Sequence, residues 1–444
     1  METINNKLYV GGVSCEELVK DYGSPLYVYD EKRIRRKVRS LFSAVAYEKF
    51  SVHYACKANP NLDILRIILD EGCRIDAVSP GEVFTALKVG FKPDNILFTG
   101  NNVTDDEMKY VIDHGVMVNI DSLSQLRRYG NMNPGGRISV RINPDVGAGH
   151  HDHCITGGPD SKFGIYFDKV DSIKKIAANH DLIIVGIHQH IGSGILDPDQ
   201  YIIAMDVLLK VAPEFANLEF VDFGGGIGVP YAPEDRAIDI DRFGEKVTDR
   251  FTKFCDDYGK KIELKIEPGR YPVCEAGMLL TTANTLKTTP KHHFVGTDSG
   301  FNHLIRHPLY LAYHEIVNAS NMDGADKRKY AVCGNICESG DLFTHGRLIS
   351  EVKEGDVVAV LNAGAYGFSM SSNYNSRPKP AEVLVNGDRV TVIRKRQALE
   401  DLLAPTPRRR RNGEEHVRDA QPLHERGEFV RTVDAQAPHL RARL

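Results

Sequence analysis

From about residue 25 to 275, short β-branched runs alternate with longer stretches in which apolar residues recur at spacings of three and four. The runs SVHYAC, CRIDAV, NILFTG, VMVNI, RISVRIN, LIIVGIHQH, LEFVDFG and IELKIEP read as strands, and NLDILRIILDEG and GEVFTALKVG between them as amphipathic helices. Eight repeats of strand then helix in about 250 residues match the length and rhythm of a (β/α)8 barrel, whose active site forms where strands end and loops begin. An open doubly wound sheet is the alternative within the α/β class.

After about residue 276 the texture changes to strand-like runs broken by turns: HHFVGTD, KYAVCGN, DVVAVLN, AEVLVNG and DRVTVIRKR. These predict a mostly β C-terminal domain. PLYVYD at 25–30 either belongs to that domain or leads into the barrel. The expected organisation is therefore an N-terminal segment 1–30 contributing to the β domain, a barrel over 31–275, and a β-rich domain over 276–404 that completes the site. Residues 405–444, rich in arginine and without lysine, read as a disordered or foreign tail.

The composition narrows the function class. With 42% hydrophobic and 26% charged residues and a net charge of -4, the 444-residue chain carries no footprint for nucleic acid or an anionic membrane. No run approaches the roughly 20 apolar residues of a membrane span, and METINNKLYV lacks a signal peptide's apolar core, so a cytoplasmic protein is expected. Eight cysteines lie scattered without a CxxC pair, which predicts reduced thiols rather than a disulfide scaffold or zinc knuckle.

Several chemically loaded motifs fall at predicted strand ends. HYACKANP puts Lys57 after a half-buried strand, where an unpaired ammonium loses hydration worth several kcal/mol, roughly, unless something uses it. Gly224, Gly225 and Gly226 in DFGGGIGVPY allow backbone amides to approach an anion. KIEPGRYPV holds Glu267 and Arg270 across the Pro268-Gly269 turn; in GIHQHIGSG, His188 and His190 share one strand face, and Gly192 to Gly194 follow as a loop. No third ligand is spaced to make the two histidines a metal site, so one ring used for stacking is expected, and no metal. CGNICESGD places Cys337, Glu338 and Asp341 among glycines, NAGAYGF places Tyr366 in a polar loop, and NHLIRHPLY offers Arg306 and Tyr310 at i, i+4. An amine, a phosphate cradle, a carboxylate for a pyridine nitrogen and a ring for stacking together describe a pyridoxal phosphate (PLP) site.

YACKANPN, GHHDHCITGGPDSKFG, HQHIGSG, GGGIGVPY, EPGR, CESGD and SMSSNYNSRP closely resemble, in order, the diaminopimelate decarboxylases, PLP enzymes of the alanine-racemase-like fold type. The likeness spans about residues 8 to 404. It implies that Lys57 holds PLP covalently, His190 stacks on the pyridine ring, Gly226 binds the phosphate, and Glu267 serves the pyridine nitrogen beside Pro268 and Gly269. It implies that Arg270, Arg306 and Tyr310 address the substrate's distal end, that Glu338 grips the distal amino group, and that Cys337 donates a proton. Tyr366 would touch both cofactor and substrate. The implied reaction converts meso-2,6-diaminopimelate to L-lysine and carbon dioxide, the last step of lysine biosynthesis, in a homodimer whose CESGD loops cross into the neighbouring site.

Ornithine and arginine decarboxylases share the lysine, GGG and EPGR, but would be expected to show aspartate and glycine after the cysteine where this chain has Glu338 and Ser339. A non-catalytic PLP carrier would leave the β domain and CESGD unexplained. A regulatory pseudoenzyme would be expected to lack the lysine or the cysteine. One local departure is His307, between Arg306 and Pro308, where many relatives put proline directly after the arginine.

Overall fold

In the computed structural model, residues 1–145, 147, 156–404 and 406 are described. The GHHDHC stretch, with Cys154, and the tail from residue 405 onward, apart from Thr406, lie outside them. Met1–Leu402 forms one compact unit, and Leu403–Leu444 a second.

All eight predicted barrel strands form, as β1 (Phe50–Ala55), β2 (Arg74–Ala77), β3 (Ile96–Phe98), β4 (Met117–Ile120), β5 (Arg137–Asn143), β6 (Ile183–His188), β7 (Phe220–Asp222) and β8 (Glu263–Ile266). They pair in parallel and in sequence, and β8 pairs β1, so the sheet closes. The helices are α1 (Glu31–Ala44), α2 (Leu62–Asp70), α3 (Pro80–Val89), α4 (Asp105–Asp113), α5 (Leu123–Met132), α6 (Val170–Asn179), α7 (Pro198–Val211) and α8 (Ile240–Tyr258). The ring opens with a helix: α1 precedes β1 and packs against α8. At that seam a Cβ on Gly244 of α8 would lie 2.0 Å from the Ala44 carbonyl oxygen, so only glycine lets the two helices come this close.

Residues alternate along each strand between the two faces. Val52, Tyr54, Ile75, Ala77, Val118, Ile120, Val140, Val221, Leu264 and Ile266 join the main apolar core. The intervening positions, His53, Asp76, Asn119, Ser139, Arg141, His188, Asp222 and Lys265, line the other face and are buried polar or charged groups. A barrel with this much buried polarity stores its chemistry inside the sheet as well as on the loops.

The second sheet runs Leu342–Ser350, Lys327–Cys333, His293–Thr297, Gly277–Thr288, Leu26–Asp30, Ala381–Asn386 and Arg389–Arg394, with Val357–Val360 also pairing Gly277–Thr288. Leu26–Asp30 lies between Gly277–Thr288, antiparallel, and Ala381–Asn386, parallel. Side chains fasten this sheet to the turn after β1. Buried Glu382 accepts from Tyr29 Oη at 2.6 Å and from Asn61 Nδ2 at 2.9 Å, while Asn59 Nδ2 donates to the Gly364 carbonyl at 3.0 Å. No described helix is long and apolar enough to cross a membrane.

Candidate active site at the C-terminal end of the barrel

The end of β1 runs into a short turn, Cys56–Ala58, that carries Lys57. The turn is pinned on both sides: Ala55 N donates to the Pro268 carbonyl at 3.3 Å, and Tyr366 N donates to the Ala58 carbonyl at 2.8 Å. Lys57, 36% exposed, reaches Asp76 at the end of β2, with Nζ 2.6 Å from Oδ2. Asp76 is fully buried and its other oxygen accepts from Thr99 Oγ1. Burial pulls the Lys57 pKa down, but Asp76, Tyr366 and Glu267 outweigh it and hold the ammonium above its ordinary value.

Across the barrel mouth, Glu267 follows β8 and is buried; its Oε2 shares a hydrogen bond with His188 Nε2 at 2.9 Å. Its Oε1 is a buried oxygen with no hydrogen-bond partner among the described residues. Burial and neighbouring Asp76 push the Glu267 carboxyl well above the usual range. Asp222, at the end of β7, is pushed up to about 8 by burial and by Glu267, and burial brings His188 down to about 4. His188, Asp222 and Glu267 present potential ligand atoms within 4.8 Å of one another. Spacing along the chain offered no third ligand for the two histidines; the fold supplies two carboxylates to His188 alone, from neighbouring strands that sequence distance does not connect. Glu267 and Arg270 form no ion pair with each other, because Arg270 is directed to other partners.

His190 sits on the glycine turn, its Nδ1 accepting from Gly225 N at 3.1 Å. That bond leaves the proton on Nε2, and burial with nearby Arg141 and Lys57 keeps the ring neutral. Gly226 has φ +112°, which L side chains rarely adopt, and a Cβ on Gly225 would meet the Glu267 carbonyl oxygen at 2.2 Å. Gly225→Ala is therefore expected to cost about 1–3 kcal/mol of stability by overpacking and to loosen cofactor retention. Urea melts and gel filtration of loaded protein check this; an unchanged midpoint with full retention would show that the turn is not a tight cradle.

The arginines form a second cluster. Buried Arg270 donates through Nη2 to Ser193 Oγ at 2.9 Å and through Nη1 to Tyr231 Oη at 2.6 Å, with Tyr366 under its guanidinium at 5.0 Å. Arg306 is 2% exposed, on a short helix Arg306–Tyr310, and its guanidinium carbon lies 5.3 Å from the Tyr231 ring centre and 5.9 Å from that of Tyr310. Its Nη2 is buried without a hydrogen-bond partner among the described residues. His307 stays within this helix, its Nδ1 donating to the Ala312 carbonyl at 3.1 Å.

Cys337 and Glu338 are not gathered with these groups: both are exposed. Their loop is nonetheless fixed, since buried Asp341 accepts from Phe301 N and Ile336 N, each at 2.7 Å, and Cys337 N donates to Asn375 Oδ1 at 2.9 Å. Sequence reading singled out Lys57, His190, Gly226, Glu267, Pro268, Gly269, Arg270, Arg306, Tyr310 and Tyr366; it gave no role to Asp76, Asp222, Ser193 or Tyr231. Tyr231 closes GGGIGVPY, and Asp76 is the acidic residue inside the strand CRIDAV, so each had a visible signal.

PLP fits this donor set: an amine at one side, a close-packed glycine turn for a phosphate, and an unpaired buried carboxylate oxygen suited to a pyridine N–H. Residues 31–274 match the family described as pyridoxal-dependent decarboxylase, pyridoxal binding domain. The chain is 50% identical to the diaminopimelate decarboxylase of Methanothermobacter thermautotrophicus, covering 90% of this chain and 96% of that one. Among solved structures, diaminopimelate decarboxylase from M. jannaschii in complex with L-lysine superposes with a TM-score of 0.85 at 32% identity, covering 92% and 98%. The Helicobacter pylori diaminopimelate decarboxylase complexed with L-lysine gives 0.81 at 34%, covering 87% and 98%.

Proposed function

The chain belongs to the diaminopimelate decarboxylase family of pyridoxal-dependent decarboxylases, and we propose how its residues divide that family's work. It is a PLP-dependent carboxy-lyase that takes meso-2,6-diaminopimelate to L-lysine and carbon dioxide.

Lys57 would hold the cofactor through Nζ. Asp76 anchors the free amine, keeping it at the end of β1 where the cofactor would bind. Gly226 and its neighbouring amides would hold the phosphate, His190 on the glycine turn would meet the ring, and Pro268, Gly269, Arg270 and Tyr366 would complete the cofactor's surroundings. When bound, PLP supplies an electron sink for the pair left as the α-carboxylate departs. Glu267 Oε1, buried without a partner among the described residues, would accept from a pyridine N–H, and a carboxylate there would keep that nitrogen protonated. Arg306 and Tyr310, with Arg270, address the distal carboxylate and ammonium. Cys337 delivers the proton to the α-carbon and Glu338 binds the distal amino group, both from the other subunit of a homodimer. Their exposure on a braced loop supports that placement. The domain boundaries proposed above suit it too, with 1–30 and 276–404 forming the body that presents the loop. A cytoplasmic location suits a soluble substrate of this kind.

The observation that carries the substrate assignment is Arg306, a buried guanidinium with one nitrogen free. A diamine precursor such as ornithine offers that nitrogen no distal carboxylate; diaminopimelate does. Release of carbon dioxide from meso-diaminopimelate, ornithine, arginine and lysine, with and without added PLP, tests the proposal. Turnover of meso-diaminopimelate well above the other three is expected, and a preference for ornithine would overturn it.

A further inference from the structure

Arg306 is held from two sides by residues to which the family reaction assigns nothing. His314 lies eight positions along the chain, 1% exposed, and its Nδ1 donates to the Leu361 carbonyl at 2.8 Å. A carbonyl only accepts, so Nδ1 carries the proton and Nε2 has a free lone pair. Arg306 Nε donates to that lone pair at 3.3 Å. The imidazole stays neutral, since burial and Arg306 bring its pKa down to about 3.

Tyr231 takes the other side. Its ring lies between two guanidiniums, 5.5 Å from Arg270 and 5.3 Å from Arg306, and meets the His314 ring edge-on at 5.4 Å. Its hydroxyl accepts from Arg270 and also contacts Cys274 Sγ at 3.0 Å. Asp235 Oδ2 accepts from Tyr231 N and Ala232 N, both at 2.9 Å, fixing the turn that presents the ring. One edge of Arg306 is thereby spent on histidine and one face on tyrosine, while Nη2 is left buried and unpaired. A buried polar group without a partner is costly, and a carboxylate ligand removes that cost.

We propose that His314 and Tyr231 are positioning residues that aim the free nitrogen of Arg306 at the substrate's distal carboxylate and so set the preference for a diamino dicarboxylate. This rests on the substrate assignment above and adds to it the residues that enforce the choice. L-lysine retains the distal carboxylate and cadaverine lacks both, so their relative affinity isolates the contact.

The experiment measures dissociation constants of L-lysine and cadaverine for the PLP-loaded protein by calorimetry, together with kcat and KM for meso-diaminopimelate. In His314→Leu, L-lysine is expected to weaken about 10- to 30-fold with cadaverine changed less than about twofold, and KM to rise more than kcat falls. His314→Gln, which can still donate to Leu361 or accept from Arg306, is expected to recover part of the loss. Tyr231→Phe keeps the ring and removes the hydroxyl, and is expected to shift L-lysine by less than His314→Leu. Equal weakening of both ligands in a folded variant, or no change in either, overturns the inference. So does a wild-type protein that binds the two ligands alike. Failure of the substrate assignment is separate: it would appear as wild-type protein that turns over ornithine in preference to meso-diaminopimelate.

Discussion

Lys57→Ala is expected to remove the long-wavelength absorbance of protein-bound PLP and to lower turnover by about 10⁴-fold or more, the scale at which a positioned amine and its proton transfers act together. The expectation comes from where the amine sits. Its turn is pinned by the Pro268 and Tyr366 backbones, and its Nζ is held by a fully buried carboxylate. A surface lysine would have neither constraint. The free ammonium is favoured by Asp76, so the covalent link to the cofactor must form against a raised pKa, and loading is expected to slow as pH falls. Asp76 keeps its bond from Thr99, so the variant is expected to remain folded by circular dichroism. A folded Lys57→Ala protein with turnover within tenfold of wild type would remove the covalent role.

The barrel was legible because its outer face is monotonous: Ile, Val, Leu and Tyr at every second position give each strand a clear signature. The inner face was misleading in isolation. A lysine at 265 or an aspartate at 76 inside a strand reads as a solvent-facing residue, and only closure of the sheet turns that row inward. In the second sheet, HHFVGTD and AEVLVNG announced themselves, but Gly277–Thr288 did not, since its exposed half, TLKT, dilutes the pattern. Leu342–Ser350 was hidden by His345, Gly346 and Arg347 in its middle. Site residues beside turn-forming glycines and prolines were visible because those punctuation marks locate strand ends. Partners such as Asp222 for Glu267, or His314 for Arg306, were not, because their pairing depends on which strands and loops become neighbours.

Cys337→Ala is expected to keep the bound-cofactor absorbance and to lose about 10²- to 10⁴-fold in turnover, the range for removing a positioned proton donor. The two effects separate because the thiol is outside the cluster that would hold PLP: Cys337 is exposed, while Glu267, Pro268 and Gly269 are buried. In the proposed arrangement a second subunit brings the exposed thiol to its carbon, and bracing by Asp341 and Asn375 holds the loop in place for that contact. Mixing decides this. Neither Lys57→Ala nor Cys337→Ala should work alone, yet under the proposed arrangement a mixed dimer would have one site with Lys57 from one chain and Cys337 from the other, both intact. Random exchange of equal amounts is expected to restore about a quarter of wild-type activity, because half the dimers are mixed and each carries one intact site. If Cys337→Ala alone keeps full turnover, the thiol is not the donor. If both variants are inactive and exchanged mixtures, verified by mass spectrometry, stay inactive, the lysine and the cysteine of a working site belong to the same chain.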